Sequence, residues 1–325
     1  MKMPDAKISI IIPCKEIDNL TEKCLRECLK LDYPNYEIIV LPDDFGKKEL
    51  KEFNDKKIKI IKTGKVKPAV KRNLGMEKAK GEFFAFIDSD AYPDKNWLKN
   101  AMEYFDNSKI GIVGGPNLTP VEGNIDEKIS GYVLRNFWVS GPANVRYKIS
   151  KKNKFVKELP SCNYISRKEI SPEYKEGLLT AEDSKFCFDI KKRGYKILYA
   201  KDVIVYHHRR DSIKKHIKQM FIYGRDIAWL AKEEFSLNML YFSLLSLFVI
   251  GLLTGAVLSA FYPVIRNLFS LLLFFYFLIM IFTSIYENMK TSIFVMTTSV
   301  VTHFAYGIGF IYGVLVKNKN EIHVK

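Results

Sequence analysis

The feature that most constrains this chain of 325 residues is a long stretch, close to the C-terminus, that is almost free of charge. Residues 236–316 contain only Arg266, Glu287 and Lys290 as formally charged side chains. An α-helix needs about 20 apolar residues to cross a hydrocarbon core about 30 Å thick, and buried helices of soluble proteins seldom stay uncharged for so long. We therefore predict a transmembrane region over residues 236–325, with about three helices in 236–262, 267–286 and 291–316 and a short basic tail.

The basic tail, residues 317–325, bears on the number of crossings. Three crossings from a cytosolic domain would place this tail on the far side of the membrane, whereas basic segments tend to stay cytosolic. A hairpin, a re-entrant segment or a fourth crossing would remove the conflict. The sequence therefore predicts insertion but leaves the side of the C-terminus open.

A basic amphipathic helix is predicted over residues 212–235, directly before the apolar runs. Lys214, Lys215, Lys218 and Arg225 stand mainly off its apolar stripe. Such a helix next to a membrane segment is typical of the membrane interface; the alternative is a soluble helix packed on the preceding domain. The stripe has the helical repeat of 3.6 residues and consists of Ile213, Ile217, Met220, Phe221, Ile227, Ala228, Ala231 and Phe235.

Charge and cysteine content indicate the surroundings of the chain. The net charge is +15, of which about +12 belongs to residues 1–235 by subtraction; it suits an anionic lipid surface or a polyanion, or reflects ordinary solvated lysines. No nucleic-acid-binding signature occurs, so we expect membrane lipids rather than nucleic acid as partners. The five cysteines form no CxxC pair, and the N-terminus shows no signal peptide. We expect a multi-pass protein of the cell membrane with a reduced, cytosolic N-terminal domain.

Residues 1–211 alternate between strand-like and helix-like runs. This alternation predicts an α/β fold with a mostly parallel sheet that helices cover on both faces. Ligands of such sheets bind beyond the carboxyl ends of the strands, so polar residues at these ends are the candidates for function. The predicted strands are 8–12, 36–41, 57–62, 83–87, 110–115, 195–199 and 203–206, and the predicted helices are 18–31, 68–80, 95–105 and 181–193.

The best site candidate is the sequence Asp88-Ser89-Asp90, immediately after the apolar strand FFAFI. Two carboxylates this close repel each other unless a cation lies between them. Oxygen ligands of this kind suit Mg²⁺ or Mn²⁺, and these ions bind diphosphates. An Asp-x-Asp sequence alone is more often a surface turn, and its position after a buried strand is what favours a metal site.

Three further groups are expected at the same edge of the sheet. Pro13 and Glu16 follow the first strand, and Asp43 and Asp44 follow the second. An aspartate there can accept a hydrogen bond from a nucleobase, and Glu16 can bind ribose hydroxyls. Arg72, in the sequence Lys71-Arg72-Asn73, opens a helix from which a cation can reach a diphosphate. Taken singly, each of these charges could equally be a solvated loop residue.

In their order along the chain, six segments resemble the inverting family 2 glycosyltransferases, enzymes with the GT-A nucleotide-binding α/β fold. The resemblance covers roughly residues 7–230. The later sequence VYHHRRDSIKKHIKQMFIYGR, with the apolar runs after it, resembles the membrane-bound members of the family. The six segments are ISIIIPCKE, YEIIVLPDD, VKRNLG, FFAFIDSDAYPDKNWL, SCNYISRKEI and LLTAEDSKFCFDIKKRGYKILY.

The resemblance implies roles on the donor side of the site. Asp43 or Asp44 would contact the nucleobase, Asp88 the ribose or diphosphate, and Asp90 the metal ion. Lys15 and Pro42 depart from the family pattern next to these positions.

It also implies roles for later residues. Asp183, with Glu182 beside it, would be the catalytic base, although two acidic residues at a helix N-terminus are also favoured by the helix dipole alone. His207 or His208 would contact the metal or the diphosphate, or be an ordinary interfacial histidine. Gln219 and Arg225 loosely resemble acceptor-side residues of processive members, but their spacing differs.

Together these features predict a membrane-anchored enzyme that moves a sugar from a UDP- or GDP-sugar to a hydroxyl of a lipid-linked or cell-envelope glycan. The metal would neutralise the leaving diphosphate, and Asp183 would deprotonate the attacking hydroxyl. The predicted domains are 1–211, 212–235 and 236–325. The alternatives are a polyprenyl-phosphate sugar synthase, whose ionised acceptor needs no base, and a non-catalytic membrane scaffold.

Overall fold

The structure, a computed structural model, describes residues 6–44, 55–234 and 242–318. The chain divides into two compact units, each built from two segments. Unit 1 comprises Met1–Pro120 and Val145–His208, and unit 2 comprises Val121–Asn144 and Arg209–Lys325.

Unit 1 is built on a sheet of eight strands in the order β3-β2-β1-β4-β9-β6-β10-β8, beside a small sheet in the order β5-β11-β7. β1 pairs in parallel with β2 and β4, and β6 with β10, whereas β9 runs antiparallel between β4 and β6. This confirms the predicted mostly parallel α/β fold. The strands are β1 Ile8–Pro13, β2 Tyr36–Leu41, β3 Ile58–Ile60, β4 Phe83–Phe86, β5 Ala91–Pro93, β6 Ile110–Gly114, β7 Asn117–Leu118, β8 Lys154–Val156, β9 Tyr164–Arg167, β10 Lys196–Tyr199 and β11 Val205–His207.

Hydrophobic clusters cover both faces of the large sheet. Successive residues of β1 alternate between them: Ile10 and Ile12 belong to one cluster and Ile11 to the other. Because side chains alternate across a strand, a continuous apolar run such as ISIII requires burial on both sides. The helices of this unit are α1 Asn19–Leu29, α2 Pro68–Lys78, α3 Trp97–Tyr104 and α6 Glu182–Lys192.

Unit 2 is helical in the part that the structure describes. Three of its helices are long and apolar enough to cross a membrane, with mean hydropathies of 2.3 for Leu244–Phe261, 2.5 for Pro263–Glu287 and 1.4 for Met289–Leu315. The predicted amphipathic helix is α7, and the last residue of its predicted stripe, Phe235, lies outside the described residues. The helices are α4 Ile125–Arg135, α5 Phe137–Ser140, α7 Ile213–Glu233, α8 Leu244–Phe261, α9 Pro263–Glu287 and α10 Ser292–Leu315.

Candidate active site

Asp88 and Asp90 lie where the chain leaves the large sheet and enters the small one. β4 ends at Phe86, and β5 begins at Ala91, whose N–H donates to the Asp88 carbonyl at 3.0 Å. The two aspartates are partly buried in this turn. A bend between two sheets thus brings both carboxylates to one edge.

His207 reaches the same place through the small sheet. β11 pairs antiparallel with β5 so that His207 stands opposite Ala91, and its Nε2 lies 3.1 Å from Asp90 Oδ1. Asp88, Asp90 and His207 each offer one ligand atom, and these three atoms lie within 4.8 Å of one another. Two carboxylates and an imidazole form a donor set that fits Mn²⁺ or Mg²⁺. The structure places His207 in this group, whereas His208 donates its backbone N–H to the Asp90 carbonyl at 2.9 Å.

The protonation of His207 reflects its neighbours. Burial alone would lower its pKa, but Cys162 and the Asp90 carboxylate raise the pKa of His207 to about 10. A divalent cation that binds here has to displace this proton, because a metal-bound histidine is neutral. Cation binding is therefore expected to release a proton.

Arg72 joins the aspartate turn to the start of α6. Its guanidinium is buried and donates from Nη2 to Asp88 Oδ1 at 2.7 Å and from Nη1 to Glu182 Oε1 at 2.8 Å. It also lies over the Tyr174 ring, 5.3 Å from the centroid. The sequence predicts that Arg72 contacts a diphosphate; in the structure its guanidinium pairs with two carboxylates from distant parts of the chain.

Glu182 and Asp183 form the first turn of α6, where the helix dipole favours negative charge. Asp183 accepts hydrogen bonds from the N–H groups of Ser184 at 2.8 Å and Ser161 at 3.3 Å. Ala181, just before them, has a φ of 63°, a left-handed conformation that is uncommon for a residue with a side chain and is often found at functional sites. The acidic pair is therefore held in a fixed, strained turn.

Both carboxyl groups hold protons more tightly than usual. Burial and the charge of Asp183 raise the pKa of Glu182 to about 7, although Arg72 opposes the shift. Burial and then Glu158 raise the pKa of Asp183, against Arg146 and Arg72. A raised carboxyl pKa is the property that a general base near neutral pH requires.

The predicted base-binding residues separate into buried and exposed groups. Asp43 pairs with the buried Lys71, which also donates to the carbonyl of Cys14. Asp44 is exposed and pairs with Lys62 at 2.8 Å. Of the two aspartates, Asp43 is therefore the one fixed at the carboxyl end of β2.

The remaining predicted donor-side residues lie at the end of β1. Pro13 is its last, buried residue, and Glu16 is exposed in the following turn. Among the described residues, no side-chain contact of Glu16 bears on its predicted role, which stays a prediction.

Asn163 is a positioning residue that the sequence pattern does not identify. Its side chain is fully buried and donates from Nδ2 to the carbonyls of Pro116 and Val203, both at 2.9 Å. Its Oδ1 accepts from Trp97 Nε1 at 2.8 Å. These bonds fix the chain just before β7 and β11, and so the approach of His207. The only sequence signal was its place in the motif SCNYISRKEI.

Gln219 and Arg225 lie on α7, in unit 2. Gln219 donates to the Tyr223 hydroxyl at 3.0 Å, and Arg225 pairs with the buried Asp226 at 2.8 Å and lies over the Trp229 ring. Both side chains are thus engaged within their own helix. Their predicted acceptor role stays a prediction.

Comparison with known proteins identifies this architecture. Residues 9–170 match the sequence model of the family described as Glycosyl transferase family 2. The chain is a family 2 glycosyltransferase. Its fold is also similar to that of a solved mannosyltransferase of Pyrobaculum calidifontis, in complex with GDP-Man and Mn²⁺, with a TM-score of 0.64 over 94% of this chain and 89% of that one. At 15% identity this second likeness concerns the fold alone.

Two curated glycosyltransferases share more of the sequence. One, from Methanococcus voltae, is a dolichyl N-acetyl-α-D-glucosaminyl phosphate 3-β-D-2,3-diacetamido-2,3-dideoxy-β-D-glucuronosyltransferase. It is 29% identical over 265 residues, which are 76% of this chain and 78% of that protein. The other is a UDP-Glc:α-D-GlcNAc-diphosphoundecaprenol β-1,3-glucosyltransferase of Escherichia coli, 28% identical over 155 residues, 46% of this chain and 57% of that one. Because these relatives are named transferases, they support an enzyme and disfavour a non-catalytic scaffold.

Proposed function

We propose that this glycosyltransferase moves a sugar from a UDP- or GDP-sugar to a hydroxyl of a lipid-linked or cell-envelope glycan, with inversion at the anomeric carbon. The observation that carries the proposal is the bridge made by Arg72. One buried guanidinium pairs with Asp88 of the metal-capable turn and with Glu182 beside Asp183. This bridge supports the proposal because it joins the turn proposed to bind the metal and diphosphate to the pair proposed to contain the base.

On the donor side, Asp90 and His207, with Asp88 next to them, would hold Mn²⁺ or Mg²⁺. Such an ion neutralises charge that develops on a leaving diphosphate. Asp43, fixed by Lys71, is at the carboxyl end of β2, where an aspartate can accept a hydrogen bond from a nucleobase. Pro13 and Glu16 border the same edge.

On the acceptor side, Asp183 would remove the proton from the attacking hydroxyl. Two backbone N–H groups orient its carboxylate, and its raised pKa increases its basicity. Attack from the face opposite to the leaving group then inverts the anomeric centre in one step.

The lipid-linked acceptor is proposed from two supports. The printed names of the Methanococcus voltae and Escherichia coli relatives describe a dolichyl phosphate and a diphosphoundecaprenol acceptor. The part of this chain that the structure describes has three helices apolar enough to enter a bilayer. We propose a cell-membrane enzyme with domains 1–211, 212–235 and 236–325 and a catalytic domain in the cytosol, with Gln219 and Arg225 towards the acceptor.

The test is a screen of UDP- and GDP-sugars with the detergent-purified protein, measuring metal-dependent release of the nucleotide and then transfer to lipid-linked acceptors. We expect Asp183→Asn to lower transfer at least 100-fold, because general-base catalysis contributes about 10²–10⁴. The matched control is Asp189→Asn on the same helix α6, which should stay near wild type. Transfer that survives Asp183→Asn would instead favour the polyprenyl-phosphate synthase.

A further inference from the structure

The three apolar helices of unit 2 differ in how much of their surface the protein covers. Only 11% of the most apolar window of α8 and of α9 is buried, against 50% of that of α10. The mean hydropathy of the α10 span is also lower, 1.4 against 2.3 and 2.5. α8 and α9 are therefore suited to lipid on nearly all sides, and α10 is not.

The partner that covers α10 is the basic helix α7. A Cβ atom added to Gly224 would lie 2.1 Å from the carbonyl oxygen of Tyr306. A Cβ atom added to Gly309 would lie 2.1 Å from the carbonyl oxygen of Phe221. Gly313 approaches the backbone of Arg225 in the same way. The two backbones thus touch, as in helix pairs with small residues at the contact.

This contact is long and parallel. It runs from His216, whose Nε2 lies 3.0 Å from Thr302 Oγ1, to Trp229, whose Nε1 donates to the Val316 carbonyl at 2.8 Å. Fourteen residues of α10 correspond to about 21 Å of helix. Wherever this part of α10 lies relative to the bilayer, α7 must lie beside it.

The exposed surfaces of the pair are of opposite character. Within α7 every fully exposed side chain is charged: Lys214, Lys215, Lys218, Lys232 and Glu233. The exposed large side chains of α10 are hydrophobic: Ile293, Phe294, Val301, Ile308, Tyr312, Val314 and Leu315. If α10 crossed the bilayer, it would take the lysines and the Arg225–Asp226 pair of α7 into hydrocarbon, which is costly. A pair with one charged and one apolar side fits the interface, where lysines meet anionic lipid head groups.

Of the helices that the structure describes, we infer that only α8 and α9 cross the membrane, as a hairpin, and that α7 and α10 lie together in the interface on the side of unit 1. α8, with 18 residues, spans about 27 Å. The turn between α8 and α9 carries Tyr262 and, one helical turn later, Arg266, both exposed, and such residues are typical of a membrane–water interface. Lys317, which follows α10, then stays on the near side, and the conflict with the distribution of basic segments disappears.

The test is sided labelling of single cysteines with a membrane-impermeant maleimide, in sealed vesicles of both orientations. The five native cysteines are buried, so wild type supplies the blank. Glu77→Cys, exposed on α2, marks the side of unit 1; Arg266→Cys marks the hairpin turn and Lys317→Cys the end of α10. We expect Lys317→Cys to label in the same vesicles as Glu77→Cys, and Arg266→Cys in the opposite ones.

Two outcomes would overturn the inference. Labelling of Lys317→Cys together with Arg266→Cys, opposite to Glu77→Cys, would mean that α10 crosses. Labelling of Arg266→Cys on the side of Glu77→Cys would mean that the hairpin does not cross. All three substitutions are at exposed positions, and retention of wild-type solubility in detergent confirms that each variant is folded.

Discussion

The buried bridge at Arg72 makes a quantitative prediction for the substitution Arg72→Met. Methionine keeps much of the volume of the side chain but leaves the carboxylates of Asp88 and Glu182 without their shared cation. Breaking a buried ion pair from one side costs about 3–5 kcal/mol. For a unit of this size 1 kcal/mol corresponds to about 2–4 °C, so the Tm should fall by roughly 6–20 °C.

The pH dependence identifies the cause of this loss. The folded-state pKa of Glu182, about 7, already exceeds the ordinary value of 4.5, so the folded state binds this proton more tightly than the unfolded state. Stability contributed by this group is therefore lost as pH rises from about 4.5 to 7. Without Arg72 the pKa of Glu182 rises further, and the Tm gap between variant and wild type should be wider at pH 8 than at pH 5.

The assay is thermal unfolding in detergent at both pH values, followed by tryptophan fluorescence. The matched control is Lys78→Met on the same helix, which removes an exposed pair with Glu77 at 2.7 Å; such pairs contribute about 0–1 kcal/mol. If the Arg72→Met variant is as stable as the Lys78→Met variant, the assigned bridge is refuted. It is also refuted if the Tm difference between Arg72→Met and wild type does not change with pH.

Three further predictions address other parts of the chain. His207→Ala should raise the Mn²⁺ concentration for half-maximal nucleotide release about tenfold or more, by analogy with the loss of metal-site partners. An unchanged Mn²⁺ dependence would exclude His207 as a ligand. Burial, with Arg209 nearby, lowers the pKa of His216 to about 4. The stability that neutral His216 contributes is complete above the unfolded pKa of 6.5 and is lost as pH falls towards 4. The Tm of wild type should therefore fall between pH 7 and pH 5, and His216→Gln should reduce that fall. Gly309→Leu should destabilise the protein by about 1–3 kcal/mol through overpacking against α7. Gly251→Leu on α8, where an added Cβ meets nothing within 4 Å, should not. Equal Tm values for the two variants would contradict the α7–α10 contact.

The sequence predicted the elements whose signal is local. ISIII and YEIIVL are apolar runs of strand length, and they form β1 and β2 within one residue of the expected ends. The sequence also predicted the position of the turn after β4, because carboxylates that follow a buried strand must lie at the edge of the sheet. Where the pattern of a few neighbours decides the structure, the sequence is sufficient.

β9 shows where local patterns fail. Tyr164–Arg167 is buried between β4 and β6 although it contains Ser166 and Arg167. Arg167 is buried because its guanidinium donates to the carbonyls of Ile110 and Phe105, partners about sixty residues away in the chain. The Arg72 bridge has the same origin: its partners are 16 and 110 residues away. Only the fold shows that a buried arginine in each case donates to distant oxygens.

Residues 121–144 show that segments close in sequence can belong to different compact units. They precede four of the eleven strands of unit 1 in sequence, yet they belong to unit 2. Ser130 lies 2.7 Å from His216 Nδ1, and Arg135 pairs with Glu287. The Thr302 hydroxyl donates to the Thr298 carbonyl, so it accepts from His216 Nε2, and Nδ1 in turn accepts from Ser130. A neutral histidine with one defined tautomer thus joins α4, α7 and α10, helices that lie far apart in the sequence but are linked by its hydrogen bonds.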